Sequence, residues 1–150
     1  MGLFDALQIS STGLSAERTR MDVIANNLAN AQTTRTENGT PFRRQEVILQ
    51  SNGQSFASVL NQQVARRVQP GGEPGGVRVV EVAEDPTPNR LVYDPGHPDA
   101  DANGYISLPN VNPVTEMVDL IAASRSYEAN VNAMQTAKQM FTKTLDLLRG

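Results

Sequence analysis

Hydrophobic positions recur every three or four residues at both ends of the chain, and the pattern breaks down between them. Near the N-terminus Leu7, Leu14, Met21 and Leu28 follow at seven-residue intervals, with Leu3, Ile24 and Ala31 at the intervening offset. This heptad spacing is that of a helix with a narrow apolar seam, and it predicts a coiled-coil helix over residues 1–32. Ser10 and Glu17 interrupt the seam, so its first turns are expected to fray. The C-terminal pattern is longer. Met117, Leu120, Ser124, Tyr127, Val131, Met134, Lys138, Phe141, Leu145 and Leu148 alternate by three and four, broken only at Ser124 and Lys138. They predict a second coiled-coil helix over residues 113–150. Asn112 suits its cap, and Pro113 suits the first helical position, where a missing N–H costs nothing. Glu116 near the start and Lys143 and Arg149 near the end complement the helix dipole. At about 1.5 Å per residue such a helix is roughly 50 Å long, more than a small body needs, which predicts partners outside the chain. Leu14, Met21, Ile24 and Leu28 are expected to face Tyr127, Val131, Met134 and Phe141.

All nine prolines lie from Pro41 to Pro113, and residues 33–112 read as a β-rich and loop-rich middle domain. Val47-Ile48-Leu49, Val77-Arg78-Val79-Val80-Glu81-Val82 and Arg90-Leu91-Val92-Tyr93 predict short strands. Asn38-Gly39, Asn52-Gly53 and Asn103-Gly104 are turn dipeptides, and the segment from Gln69 to Gly76 reads as an exposed loop or linker. The expected fold class is α+β: long N- and C-terminal helices packing as an antiparallel coiled coil, with a small irregular β-rich middle domain.

Composition narrows the function. The 150 residues are 39% hydrophobic but only 5% aromatic, without Trp, so large anchors for a deep catalytic pocket are scarce. A net charge of -3 with no basic run argues against a bulk grip on nucleic acid. The absence of cysteine removes disulfides, thiolate metal sites and thiol nucleophiles. No Lys or Arg precedes Arg18, so the N-terminus reads as mature sequence rather than a cleavable leader, and Ala6 stands where a myristoylation motif needs Ser or Thr. No stretch is apolar enough to insert in a membrane.

Candidate chemistry is sparse. His97 lies among Asp94, Asp99 and Asp101, a conceivable metal or acid–base cluster, but two prolines and a glycine make a rigid loop with Asp side chains on turn amides the stronger reading. Asp99-Ala100-Asp101-Ala102-Asn103-Gly104 brushes a calcium-loop pattern, yet Asn110 stands where the bidentate Glu belongs. Gly71-Gly72 and Gly75-Gly76 lack the lysine of a phosphate loop. Arg43-Arg44 and Arg66-Arg67 read as solvated surface in a middle region that is net acidic. No catalytic set, cofactor site or metal site is expected, and the chain reads as a non-enzyme. The unusual constellation is Ala25-Asn26-Asn27-Leu28-Ala29-Asn30. Its asparagines either cap a helix end or hydrogen-bond across a helix contact, and both can hold at once.

That constellation resembles the N-terminal motif of bacterial flagellar axial proteins, which build rod, hook and junction tubes. Pro41-Phe42-Arg43-Arg44-Gln45, Val92-Tyr93-Asp94-Pro95-Gly96-His97-Pro98-Asp99-Ala100-Asp101, Gly104-Tyr105, Pro109-Asn110-Val111-Asn112, Glu116-Met117-Val118-Asp119 and Ser124-Arg125-Ser126-Tyr127-Glu128-Ala129-Asn130 extend the resemblance over nearly the whole chain. Together they look like the proximal-rod branch of the flagellar basal-body rod family. Phe42 departs from a frequent Tyr, and Pro113 departs from an apolar pair at the start of the last helix. The resemblance implies a structural subunit synthesised in the cytoplasm, exported unfolded by the flagellar type III export apparatus without a cleaved signal, and assembled into a helical rod across the periplasm. Implied partners are copies of itself, other proximal-rod proteins, the distal-rod protein, and the rod base at the MS ring and export gate, with no nucleic acid and no membrane insertion. The terminal helices would be poorly ordered before assembly. The expected assembly interface is Leu7, Leu14, Met21, Ile24, Asn26, Asn27, Leu28, Asn30, Met117, Leu120, Tyr127, Val131, Met134, Phe141, Leu145 and Leu148. A soluble coiled-coil adaptor or chaperone-like module binding a partner helix is the alternative.

Overall fold

The N-terminal heptads form helix α1 (Leu3–Ala29) in the computed structural model of the chain, which describes residues 3–52 and 75–149. Its last turn closes with the Asn30 N–H on the Asn26 carbonyl at 3.1 Å. The other helix among the described residues, α2 (Pro113–Arg149), starts where Asn112 and Pro113 predict. Asn112 Oδ1 accepts the Val114 N–H at 3.1 Å and its carbonyl accepts the Glu116 N–H at 3.0 Å, so the cap satisfies backbone donors that lack helical partners.

Among the described residues four strands lie between the helices. Strand β1 (Gln45–Ser51) pairs with β2 (Val77–Glu84), and β3 (Arg90–Tyr93) pairs antiparallel with β4 (Tyr105–Leu108), placing Arg90 opposite Leu108 and Tyr93 opposite Tyr105. The sequence pattern did not single out β4. The loop joining β3 to β4 is held by its own acidic side chains. Asp94 Oδ1 accepts the Gly96 N–H at 3.2 Å, and Asp101 Oδ1 accepts the N–H groups of Asn103 and Tyr105 at 2.8 and 2.9 Å. His97 Nδ1 accepts the Asp99 N–H at 3.1 Å, so the imidazole too serves the turn. Gly53, Arg66-Arg67, Gly71-Gly72 and most of the loop beginning at Gln69 lie outside the described residues.

The chain divides into two compact units, and both helices contribute to each. The first holds, of the described residues, 3–17, 49–52, 75–80 and 125–149. Its helical segments run antiparallel: Phe4 meets Phe141 edge-on with ring centroids 6.0 Å apart, and Gly13 lies against Asn130, whose Nδ2 would sit 3.1 Å from an added Cβ. Ala16 and Ala137 are buried, so small side chains mark the core of this pairing. Phe141 therefore departs from its expected place against the seam from Leu14 to Leu28. An antiparallel pair brings the last turns of one helix against the first turns of the other. The second unit comprises residues 18–48 and 81–124. Ile24, Ala31, Ile106, Val111 and Ala123 form its buried apolar set, together with two buried polar residues, Asn27 and Glu116.

Two turn glycines separate backbone strain from crowding. Gly39 has φ 75° and open space where a Cβ would go, whereas Gly104 has φ 79° and would place a Cβ 2.9 Å from the Tyr93 ring. Gly39→Ala should cost about 1 kcal/mol through its left-handed backbone alone. Gly104→Ala should cost visibly more. Thermal unfolding of the two variants checks the order, and equal losses would contradict it.

Candidate assembly surfaces and their polar node

Glu116 occupies the first turn or so of α2 on its inward face and is buried. An isolated carboxylate there would be expensive, so its placement demands a cation and hydrogen-bond donors. Arg44, just before β1, supplies the cation: its Nε donates to Glu116 Oε1 at 2.6 Å. Asn27 of α1 donates its Nδ2 to Glu116 Oε2 at 3.2 Å. The same amide reads the backbone of Gln45 on both edges, donating to its carbonyl at 2.8 Å and accepting its N–H at 2.9 Å. Asn110 completes the bracket by accepting the Arg44 N–H at 2.8 Å and donating to the Thr87 carbonyl at 3.2 Å.

Arg44 serves more than one carboxylate. Its guanidinium also bonds Glu46 and lies 3.5 Å from Asp85 Oδ2 and 3.9 Å from Asp119 Oδ2. Burial works against its charge, but the hydrogen bonds and charges of Glu116 and Glu46 outweigh that and raise its pKa above the ordinary arginine value. Asp85 is held below the usual carboxylate range, first by hydrogen bonds from the Thr87 hydroxyl and N–H and then by Arg44. Arg44 is thus corrected from solvated surface to the internal cation of this unit. Its sequence neighbours gave no sign of this, because three of the four carboxylates come from distant positions. A buried Glu on the inner face of α2 was the available signal, and the dipole reading of Glu116 used only its position along the helix.

The three asparagines divide the two roles between them. Asn27 makes the buried long-range contacts, and Asn26 adds an exposed one, its Nδ2 donating to Gln45 Oε1 at 3.3 Å. Asn30 caps, donating Nδ2 to the Asn26 carbonyl at 3.0 Å and to Asn26 Oδ1 at 2.9 Å.

The sequence-derived interface residues are spread over all degrees of burial. Ile24 and Asn27 are buried in their own unit, while Leu7, Leu14, Met21, Leu28, Asn30, Leu120, Tyr127, Val131 and Met134 are half-buried. Asn26, Met117, Phe141 and Leu145 are exposed, and the Leu148 side chain lies outside the described residues. In the first unit Leu7, Leu14, Val131 and Met134 come together with Gln135 and Lys138 around an apolar groove of about 470 Å³. In the second, Val114, Met117, Val118 and Ile121 form an exposed stripe at helical spacing, of which the heptad reading included Met117 alone. Contiguous apolar surface of this kind marks an interaction site rather than a reaction centre. Among the described residues no His, Asp or Glu side chains group in a way that would hold a metal ion, and no helix is long and apolar enough to cross a membrane.

The same segments match known proteins. The family profile described as "Flagella basal body rod protein" matches residues 7–35, and the one described as "Flagellar basal body rod FlgEFG protein C-terminal" matches residues 102–147. The chain is 48% identical to the flagellar basal-body rod protein FlgC of Bacillus subtilis, over 98% of this chain and 99% of the relative. It is 45% identical to FlgC of Borreliella burgdorferi over the full length of both, and 41% identical to FlgC of Salmonella typhimurium over 98% of each.

Breaking the buried pair from the carboxylate side should be costly. Glu116→Ala is expected to destabilise the second unit by about 3 kcal/mol, and Asn27→Ala by about 2 kcal/mol. The double variant should lose less than both together, because the two share one contact. Urea unfolding of the four proteins measures this, and strict additivity would contradict the shared node. Acid should act through Asp85. Its folded pKa lies below the unfolded value of about 3.9, so its contribution is present at neutral pH and is lost as pH falls through the folded value. Asp85→Asn should therefore flatten the decline in stability below about pH 4.

Proposed function

We propose that this chain, which belongs to the FlgC family of flagellar basal-body rod proteins, is a structural subunit of the bacterial flagellar rod with no catalytic role. It assembles with copies of itself, other proximal-rod proteins and the distal-rod protein, above the rod base at the MS ring and export gate, into a helical tube. That tube crosses the periplasm, transmits torque and passes exported subunits. Residues 1–32 and 113–150 form its helical layer and residues 33–112 an outer body. The chain is made in the cytoplasm and leaves through the flagellar type III export apparatus without a cleaved signal. The observation that carries this reading, beside the full-length likeness, is the placement of apolar side chains. Alanines occupy much of the buried helix faces, while Val114, Met117, Val118, Ile121, Met140 and Leu147 face solvent. A subunit that completes its burial against neighbours has that distribution.

Electron microscopy of basal bodies from cells lacking the gene should show loss of the rod and everything distal to it, restored by complementation. Intact rods with hooks would sink the reading and leave a soluble adaptor. A point variant gives a finer test. Met134→Asp puts a charge into the apolar groove at a cost of several kcal/mol, and should abolish rod assembly while Met134→Leu preserves it.

A further inference from the structure

We infer that the Asn38-Gly39 step is a site of covalent self-modification, at which the folded chain converts Asn38 to aspartate or isoaspartate. The Gly39 nitrogen attacks the Asn38 side-chain Cγ, so that a bond forms between them and the Cγ–Nδ2 bond breaks. Ammonia leaves with the proton lost from the Gly39 nitrogen, and water then opens the cyclic imide at either carbonyl. The sequence of steps needs water alone and transfers no electrons.

Asparagine is a thermolabile side chain, and a following glycine presents an amide with no Cβ to screen it. The amino-acid sequence puts two described steps, Asn38-Gly39 and Asn103-Gly104, on an equal footing. Both asparagines are exposed, and both glycines hold a positive φ, of 75° and 79°. Each glycine N–H donates to a turn carbonyl, Gly39 to Thr36 at 2.9 Å and Gly104 to Asp101 at 3.0 Å. Attack in either turn therefore waits for that bond to open.

The surroundings of each turn decide between them. Gly104 is clamped. Its carbonyl accepts the Asp94 N–H at 2.9 Å, Asp101 Oδ1 accepts the N–H groups of Asn103 and Tyr105, and the Asp101 N–H returns to the Tyr105 carbonyl at 2.9 Å. The Tyr93 ring and the Pro95 side chain stand 2.9 and 3.2 Å from where a Gly104 Cβ would lie. Its nitrogen reaches the Asn103 side chain only after several of these contacts break together. Gly39 has nothing within 4 Å of the corresponding position. Thr36 closes its turn, with the N–H and the hydroxyl both donating to the Thr40 carbonyl at 2.8 Å. Each additional hydrogen bond weighs against opening, and together they should slow Asn103 by about tenfold relative to Asn38. Asn38 helps line a cavity of about 440 Å³ that also includes Arg43 and Glu84, so the modified turn brings a new carboxylate to it.

Peptide mapping of the full-length chain, held at mildly alkaline pH either folded or in urea and sampled over time, tests this. Trypsin cleavage after Arg35 and Arg43 isolates residues 36–43, whose one asparagine is Asn38, while Asn103 falls in residues 91–125 and is placed by fragmentation. In the folded chain aspartate and isoaspartate should accumulate at position 38 about tenfold faster than at position 103. In urea the two rates should converge, because glycine follows both asparagines. Asp101→Ala removes the acceptor that holds Asn103 and Tyr105, and should speed position 103 while leaving position 38 unchanged. Equal rates in the folded chain, faster reaction at position 103, no reaction at position 38, or a preference that survives in urea would each overturn the assignment.

Discussion

A carboxylate taken out of water at the start of α2 sets the terms for much of this protein. Glu116 is fully buried, and a buried charge is tolerated only when a counter-charge and hydrogen-bond donors meet it in good geometry. Arg44 and Asn27 meet that demand, and in doing so they bring together the edge of β1, the end of α1 and the beginning of α2. Asn27 has a second task. Its amide pairs with the N–H and carbonyl of Gln45 much as a neighbouring strand would, and so satisfies the backbone where β1 begins. Asn110 does the same service for the Arg44 N–H from the segment after β4. Polar side chains thus hold segments that the modest apolar core of this unit could not align alone, since hydrogen bonds specify geometry where apolar contacts do not.

Helix pairing follows a different economy. Gly13, Ala16 and Ala137 lie where the helical segments of the first unit meet, so the backbones come close with little apolar area removed from water. Burial stabilises by roughly 25 cal/mol per Å² of apolar surface, and the side chains with the most to contribute remain outside. For a free monomer this is a weak arrangement. For a subunit that gains neighbours it is a productive one, because each new contact draws on surface still available. The proposed rod function follows from that reserve.

Much of the plan was legible in the residues alone. Asn112 and Pro113 mark the start of α2 because capping and proline geometry are local, and three strands and the turns at Gly39 and Gly104 show for the same reason. The family motifs, from Asn26 to Asn130, were readable too. Other features lacked a local signature. Arg44 sits beside Arg43 and looks like solvated surface until Asp85, Glu116 and Asp119 arrive from elsewhere in the chain. The heptad pattern counts large apolar residues, so it ranked Met117 and Leu145 as seam while Ala123 and Ala137 took the buried places.

The sequence by itself determined the helices, their caps, most of the strands and the lineage, since these depend on residues within a turn or two of one another and on motifs kept in order along the chain. Tertiary structure alone decided which Asn is buried against Glu116, which Arg becomes an internal cation, and which apolar stripe is left exposed. Those outcomes depend on the chance of two distant residues sharing one face of the folded chain, and periodicity along a single helix contains no information about what stands across from it.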